Sequence, residues 1–381
     1  MHNPGHSRWH GRRGSLSILL AIGLVAAALT APLSIATVAR AQEGGGAGDA
    51  AAAAAAAASG DSARVVVVGQ WVPTLEAGLN IAQSSYTSNW RGGEQGSIVW
   101  VFLVNGTLEN QIHPKVDWLN TLKLSYGQTH QQVRAGDDRS RDWDKPEKST
   151  DLIDFESIAR FTLGGFVDPF LSGRIESQFQ DVSDPAGRTL AFTPIRFQES
   201  AGITRRFIDQ KDRLVQSRLG FTFRQNSRRT FIEPPPSTKT STEGTNDGGL
   251  EWVNDAKMNI VGDRISWTSK FSAFLPVFYS GRDDLKNLRG LDLSVVGLPD
   301  DIEDYPMAVD LDWENVFTSQ ITKVLSVNLY TRWLYDKYDN SVKPIPLAGY
   351  GLSNPDDVRR AVRKAGQFKQ TLAIGLTYRI L

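Results

Sequence analysis

A chain of 381 residues with 42 basic and 42 acidic side chains has room for one large all-β domain or two ordinary ones. The absence of cysteine excludes disulfide frameworks, zinc-thiolate sites and cysteine nucleophiles. With no basic excess there is little to hold a polyanion by counterion release, so nucleic-acid binding is excluded as an expectation.

The first 41 residues read as a targeting segment. A basic start (Arg8, Arg12, Arg13) precedes an apolar stretch from Leu16 to Leu29 and then Ala39-Arg40-Ala41, whose small residues fit signal-peptidase cleavage. The expectation is cleavage after Ala41, leaving Gln42 as the mature N-terminus; an uncleaved anchor helix is the alternative. This segment contains four arginines and no lysine or acid, so its removal leaves 38 basic against 42 acidic groups, a net charge of −4. Residues 42–70 form a Gly/Ala-rich linker with an alanine run from Ala50 to Ala58, too poor in long side chains to hold a helix and expected to be disordered. The four valines between Arg64 and Gly69 resemble a strand opening a nucleotide-binding fold, but Gln70-Trp71-Val72-Pro73 supplies no phosphate-cradling glycines.

Residues 71–381 contain no apolar run long enough to span a bilayer as a helix, and alternation of period 2 recurs instead. Leu372, Ile374, Leu376, Tyr378 and Ile380 share one face against Ala373, Gly375, Thr377 and Arg379. Val309, Leu311, Trp313, Phe317 and Ile321 oppose Asp310, Asp312, Glu314, Thr318 and Gln320, and Ile265, Trp267, Phe271, Ala273, Leu275 and Val277 oppose Ser266, Thr268, Lys270 and Ser272. The pattern predicts about twelve strands, starting near Thr74, Gly96, Trp118, Leu152, Asp168, Ile195, Asp212, Gly249, Arg264, Ala308, Val324 and Gln367. Brief turns (Gly164–Asp168, Ile208–Asp212, Val261–Arg264, Ile321–Lys323) alternate with long polar loops, among them Arg134–Thr150, Asp181–Pro194, Gln225–Gly248, Ser280–Pro306 and Asp336–Gly366. This asymmetry, with aromatic residues near strand ends, predicts an all-β, antiparallel transmembrane β-barrel of the bacterial outer membrane. The expected partners are outer-membrane lipid and, during biogenesis, the barrel-assembly machinery, with the protein a monomer. A soluble periplasmic β-sandwich is the second fold.

One stretch carries a resemblance. Gln83-Ser84-Ser85-Tyr86 with Asn89-Trp90 and Gly92-Gly93, then Trp118-Leu119-Asn120 and Leu124-Ser125-Tyr126-Gly127, resemble in order and spacing the domain-of-unknown-function family numbered 3078, with its "NW.GG" hairpin and "W.N.L.L.YG" strand. The likeness continues through Lys148-Ser149-Thr150-Asp151, Phe155 and Gln178-Phe179, over residues 70 to 230 or so. Asp151-Leu152 departs from the family in carrying one aspartate where two adjacent ones are common. The resemblance implies an outer-membrane-like barrel and no assigned activity. Asn89, Trp90, Gly92 and Gly93 read first as a hairpin turn, since Asn and paired Gly accept φ > 0; the alternative is a ligand-contacting external loop.

No catalytic, cofactor-binding or metal-ligating constellation is expected. The mature chain has two histidines, His113 in a predicted turn and His130 at the end of the third strand, at opposite ends of such a barrel. A lipid hydrolase would need a Ser paired with one of them, and no convincing motif supplies it. The acidic loops at Asp137-Asp138 and Asp301–Asp304 lack calcium-ligand spacing. What needs explaining is the inward face. Lys123, Glu156, Arg160, Arg174, Glu176, Arg218, Lys270, Asp312, Glu314 and Arg332 would share the lumen with Glu76, Asp154, Asp255, Lys257, Asp310 and Arg379, and their mixed signs predict neutralisation across a largely closed interior rather than a ring of one sign. The functions expected are passive passage of small solutes or a structural or scaffold role in the envelope, with loop-mediated ligand or partner binding as the alternative.

Overall fold

The computed structural model describes residues 67–85, 96–134, 141–210, 213–262, 264–288, 293, 297–347, 351–363 and 366–380; the predicted signal segment, its cleavage site at Ala41 and Gln42, and the Asn89–Gly93 hairpin lie outside them. The strands are β1 (Val72–Ser84), β2 (Ser97–His113), β3 (Val116–Arg134), β4 (Arg141–Trp143), β5 (Glu147–Phe161), β6 (Asp168–Ser177), β7 (Gln180–Asp181), β8 (Leu190–Ala191), β9 (Ile195–Gln210), β10 (Arg213–Phe231), β11 (Thr240–Ile260), β12 (Ile265–Tyr279), β13 (Asp310–Gln320), β14 (Leu325–Tyr335) and β15 (Gln367–Arg379). Two short helices, α1 (Arg282–Lys286) and α2 (Pro355–Ala361), and a 3-10 turn at Ile302–Met307 lie in the last two long loops.

Every long strand pairs antiparallel with the next, and β1 closes on β15 through Glu76↔Arg379 to Asn80↔Gly375. With β4, β7 and β8 set aside in loops, twelve strands form a closed barrel. Closure leaves no edge with unpaired backbone groups, and it rules out the two-sheet sandwich. The predicted strand starts fall within two residues of the observed ones for ten of the twelve strands; β5 starts at Glu147, ahead of Leu152, and β11 at Thr240, well ahead of Gly249. The expected loop Gln225–Gly248 is therefore corrected. β10 and β11 continue as a ladder (Asn226↔Thr245, Arg228↔Glu243, Phe231↔Thr240), and the connection is only residues 232–239.

The outer face is apolar and exposed: Leu372, Ile374, Leu376 and Tyr378 on β15, Leu219 and Phe221 on β10, Leu250 and Trp252 on β11, Leu275 and Val277 on β12. Four tryptophans on this face find hydrogen-bond acceptors on the neighbouring strand, each two residues along from its direct partner. Trp118 Nε1 donates to Ser157 Oγ at 2.8 Å, Trp252 to Ser217 at 2.9 Å, Trp313 to Ser269 at 3.0 Å and Trp267 to Asn315 Oδ1 at 3.2 Å. Such diagonal pairs satisfy the one polar group of each indole without solvent.

Candidate functional site in the barrel interior

Alternation along each strand puts Lys123, Glu156, Arg160, Arg174, Glu176, Arg218, Lys270, Asp312, Glu314 and Arg332 on the face opposite the exposed apolar residues, and ion pairs tie most of them together. Arg218 on β10 meets Glu156 on β5 at 3.2 Å. Strands β6 and β9 stand between β5 and β10 in the sheet, so this pair can form only through the lumen. Arg218 also reaches Asp255 at 3.5 Å. Arg174 grips Asp154 with Nε at 2.7 Å and Nη2 at 3.1 Å, and Glu176 lies 3.1 Å away. Arg332 makes the same fork to Asp312, at 2.9 and 2.7 Å, beside Glu314 at 3.4 Å, which also accepts from Tyr330 OH at 3.2 Å. Arg160 pairs with Asp117 at 2.9 Å near the short-turn end. Lys270 stands opposite Asp255 and Glu314 in the register, and Lys123 opposite Asp154. Forked, mutually neutralising pairs are what a charge removed from water requires.

Buried apolar side chains are interleaved on the same inner face: Val101, Leu103, Phe170, Val253, Phe274, Val316 and Tyr330. The guanidinium of Arg224 lies 3.6 Å from the centre of the Phe274 ring. Ion pairs thus alternate with aromatic and aliphatic side chains over the inner wall. The mixed charges were the expectation for this face; the apolar residues interleaved with them were not singled out by the sequence.

The long-loop end carries a second feature. The described parts of loops 280–309 and 336–366 pack together over the mouth around a core of their own, with Leu285, Leu288, Leu293, Leu298, Ile302, Tyr338, Val342, Leu352, Val358 and Ala361 buried against Tyr279 of β12. The hydroxyls of Tyr279 and Tyr338 both donate to the Val342 carbonyl at 2.9 Å. Polar contacts fasten this cap to the barrel wall. Arg196 of β9 meets Asp339 at 3.2 Å, Thr245 Oγ1 donates to the Asn340 carbonyl at 2.6 Å, and Asn340 Nδ2 donates to Asp247 at 2.8 Å. Asp247 also pairs with Arg224, which reaches Asp310 at 3.2 Å; Arg363 pairs with Asp336 and lies 3.5 Å from Asp339. Burial pushes the Asp336 carboxyl up, against the opposing charge of Arg363. Burial would raise Asp339 too, but Arg196, Arg363 and hydrogen bonds from Ser341 outweigh it and hold that carboxyl below the usual range.

Several residues of the sequence motif, Tyr126, Gly127, Lys148, Asp151, Gln178 and Phe179, meet at one place on the outer side of β3 and β5. Asp151 accepts the backbone N–H groups of Phe179 (2.6 Å) and Gln180 (2.8 Å), while Lys148 Nζ pairs with Asp151 at 3.3 Å and donates to the Gln178 amide oxygen at 3.1 Å. Tyr126 packs edge-on against Phe179 and accepts from Gln128 at 3.2 Å. Gly127 lets the strand pass: a Cβ there would lie 2.6 Å from the Trp100 carbonyl oxygen and from a Val101 methyl. The cluster clasps the chain as it leaves β6 and turns into β7. Nothing in strand periodicity points to it; its only signal in the sequence is the motif itself.

The two histidines lie far apart. His113 ends β2, where its Nδ1 accepts from the Lys115 N–H at 3.2 Å, and His130 stands opposite Ile98 toward the other end. Among the described residues no group of three or more His, Asp or Glu is placed to hold a metal ion; Asp304 lies 3.6 Å from Arg282.

The beta domain of the Bordetella autotransporter BrkA is similar at 11% identity, covering 81% of this chain and 97% of that one with a TM-score of 0.28. The translocator domain of the autotransporter NalP from Neisseria meningitidis is 9% identical, over 86% and 94% of the two chains, with a TM-score of 0.31. An outer membrane channel from Pseudomonas putida F1 is 8% identical, over 84% and 97%, with a TM-score of 0.35. No curated protein matches the sequence. Residues 81–181, the segment in which Tyr126, Gly127, Lys148, Asp151 and Phe179 come together, match the model of a family described only as a protein of unknown function (DUF3078).

Proposed function

We propose that the protein is exported, inserts as a monomeric β-barrel into the bacterial outer membrane with its short turns facing the periplasm, and serves a structural or scaffold role there with its lumen closed to free solute passage. The apolar outer face and the tryptophans paired without solvent support lipid as its surroundings. The alternation of short and long connections supports the orientation, and a barrel of this kind implies lipid and the assembly machinery as partners in biogenesis. The observation that carries closure is the Arg218–Glu156 pair across the lumen, backed by the cap latched through Arg196–Asp339. The role requires no catalytic centre. Reconstitution into liposomes tests it: sugar-driven swelling should stay near that of empty vesicles. Swelling at the rate of an open diffusion pore would contradict closure and favour passive passage. Asp339→Ala combined with Glu156→Ala should increase swelling, since the cap and the central layer both bar the way.

A further inference from the structure

A cavity of about 400 Å³ opens at the short-turn rim, between the β5–β6 turn and the end of β9, and its charges do not all cancel internally. Arg160 and Arg206 are committed to Asp117, at 2.9 and 3.6 Å, and Arg206 also to Asp209 at 2.9 Å. Arg205 is different. Its guanidinium stacks 3.7 Å from the centre of the Phe166 ring and donates to the Phe166 carbonyl, its Nε is buried without a hydrogen-bond partner, and among the described residues no carboxylate pairs with it. Asp168 lines the same cavity, accepts one backbone N–H from Leu163 at 3.2 Å, and among the described residues meets no cation. Beside them Leu163, Phe166 and Phe207 are 59%, 78% and 60% exposed, an apolar rim that water would not favour.

Resting on the outer-membrane reading, we propose that this rim binds one inner-leaflet phospholipid with a zwitterionic phosphoethanolamine headgroup. The phosphate lies against Arg205, the ammonium against Asp168, and the acyl chains against Leu163, Phe166 and Phe207. One cation and one carboxylate left over in a shared cavity match a headgroup that carries both charges, and an interfacial arginine held on an aromatic face is already oriented to donate. A purely anionic headgroup would leave Asp168 facing a like charge.

The test uses the full chain, extracted and delipidated in mild detergent, then offered equal amounts of phosphatidylethanolamine, phosphatidylglycerol and phosphatidylcholine, with retained lipid read by native mass spectrometry. Phosphatidylethanolamine should be retained preferentially, and Arg205→Gln should lower its retention by about tenfold, as expected for loss of one charge-assisted contact. Asp168→Asn should abolish the preference over phosphatidylglycerol. Equal retention by wild type and Arg205→Gln, equal retention of the three lipids by wild type, or displacement of bound lipid by millimolar inorganic phosphate would each overturn the proposal. Heat-modifiable gel mobility is recorded for every variant: if Arg205→Gln alone loses it, Asp168→Asn carries the test. Its absence from the wild type would overturn the membrane reading itself, whereas a mobility shift without lipid preference would overturn only the site.

Discussion

At the scale of single residues, forked and cross-lumen ion pairs tie the interior together. Glu156 is the sharpest case, since it links two walls of the barrel that share no backbone hydrogen bonds. Glu156→Ala leaves the buried Arg218 with Asp255 alone, and breaking a buried pair in this way costs about 3–5 kcal/mol. The expected result is a marked fall in the urea midpoint of refolded protein; a midpoint within error of wild type would show that the pair is solvated. Asp151 acts by a different route. It takes up two backbone N–H groups and one ammonium with a side chain that is almost fully buried. Asp151→Ala leaves those amides unpaired at about 1–3 kcal/mol each, and it should raise hydrogen exchange at Phe179 and Gln180 while sparing the β10–β11 ladder. Uniform change along the chain would argue against a local clasp.

At the scale of elements, the strands were readable wherever one face is apolar and the other is not. The C-terminal strand, with Leu372, Ile374, Leu376 and Tyr378 outward, is the clearest instance. Legibility ends where neither face is apolar. Residues 225–248 are mostly polar, with Phe231 and Ile232 the exceptions beside the prolines, and carry no period, yet they form the upper β10–β11 hairpin, because cross-strand pairs such as Arg228↔Glu243 and contacts from the neighbouring loop hold it. In that loop the Thr193 hydroxyl accepts the Arg229 N–H at 2.9 Å, and Arg188 lies 3.9 Å from the centre of the Phe231 ring. The cap was equally hidden. Its apolar residues are scattered over two loops far apart in sequence, and only tertiary packing makes Leu285, Ile302, Tyr338 and Val358 neighbours. Parity assigns the ten charges to one face of their strands, but it says nothing of their partners, since it does not fix which wall a long side chain reaches.

The cap also gives a pH dependence whose sign can be worked out. Asp339 is held below its unfolded value, so its contribution to the latch is present above the ordinary carboxylate range and is lost as pH falls through the lowered value. Asp336 works the other way, because its carboxyl is raised and acid relieves its burial. The Arg196–Asp339 contact should therefore fail first on strong acidification. Protease cleavage within 336–366 should rise there in wild type but be already raised and nearly pH-independent in Asp339→Asn. The same acid response in both proteins would place the sensitivity elsewhere.

At the scale of the whole molecule, twelve strands give a diameter between the small barrels that side chains fill and the large ones that enclose water, so the count alone leaves the lumen undecided. The ion-pair layer, the inward Phe170, Phe274 and Tyr330, and the cap are the features on which the proposal of a closed lumen rests. The exterior is the reverse of a soluble protein, apolar where exposed, which is why a lipid setting is central to the account. The most direct test is electrophoretic mobility of the protein taken from the outer-membrane fraction, unboiled against boiled. A shift between the two is predicted, as for a closed barrel that detergent alone does not unfold. Recovery in the soluble periplasmic fraction with no shift would contradict the account.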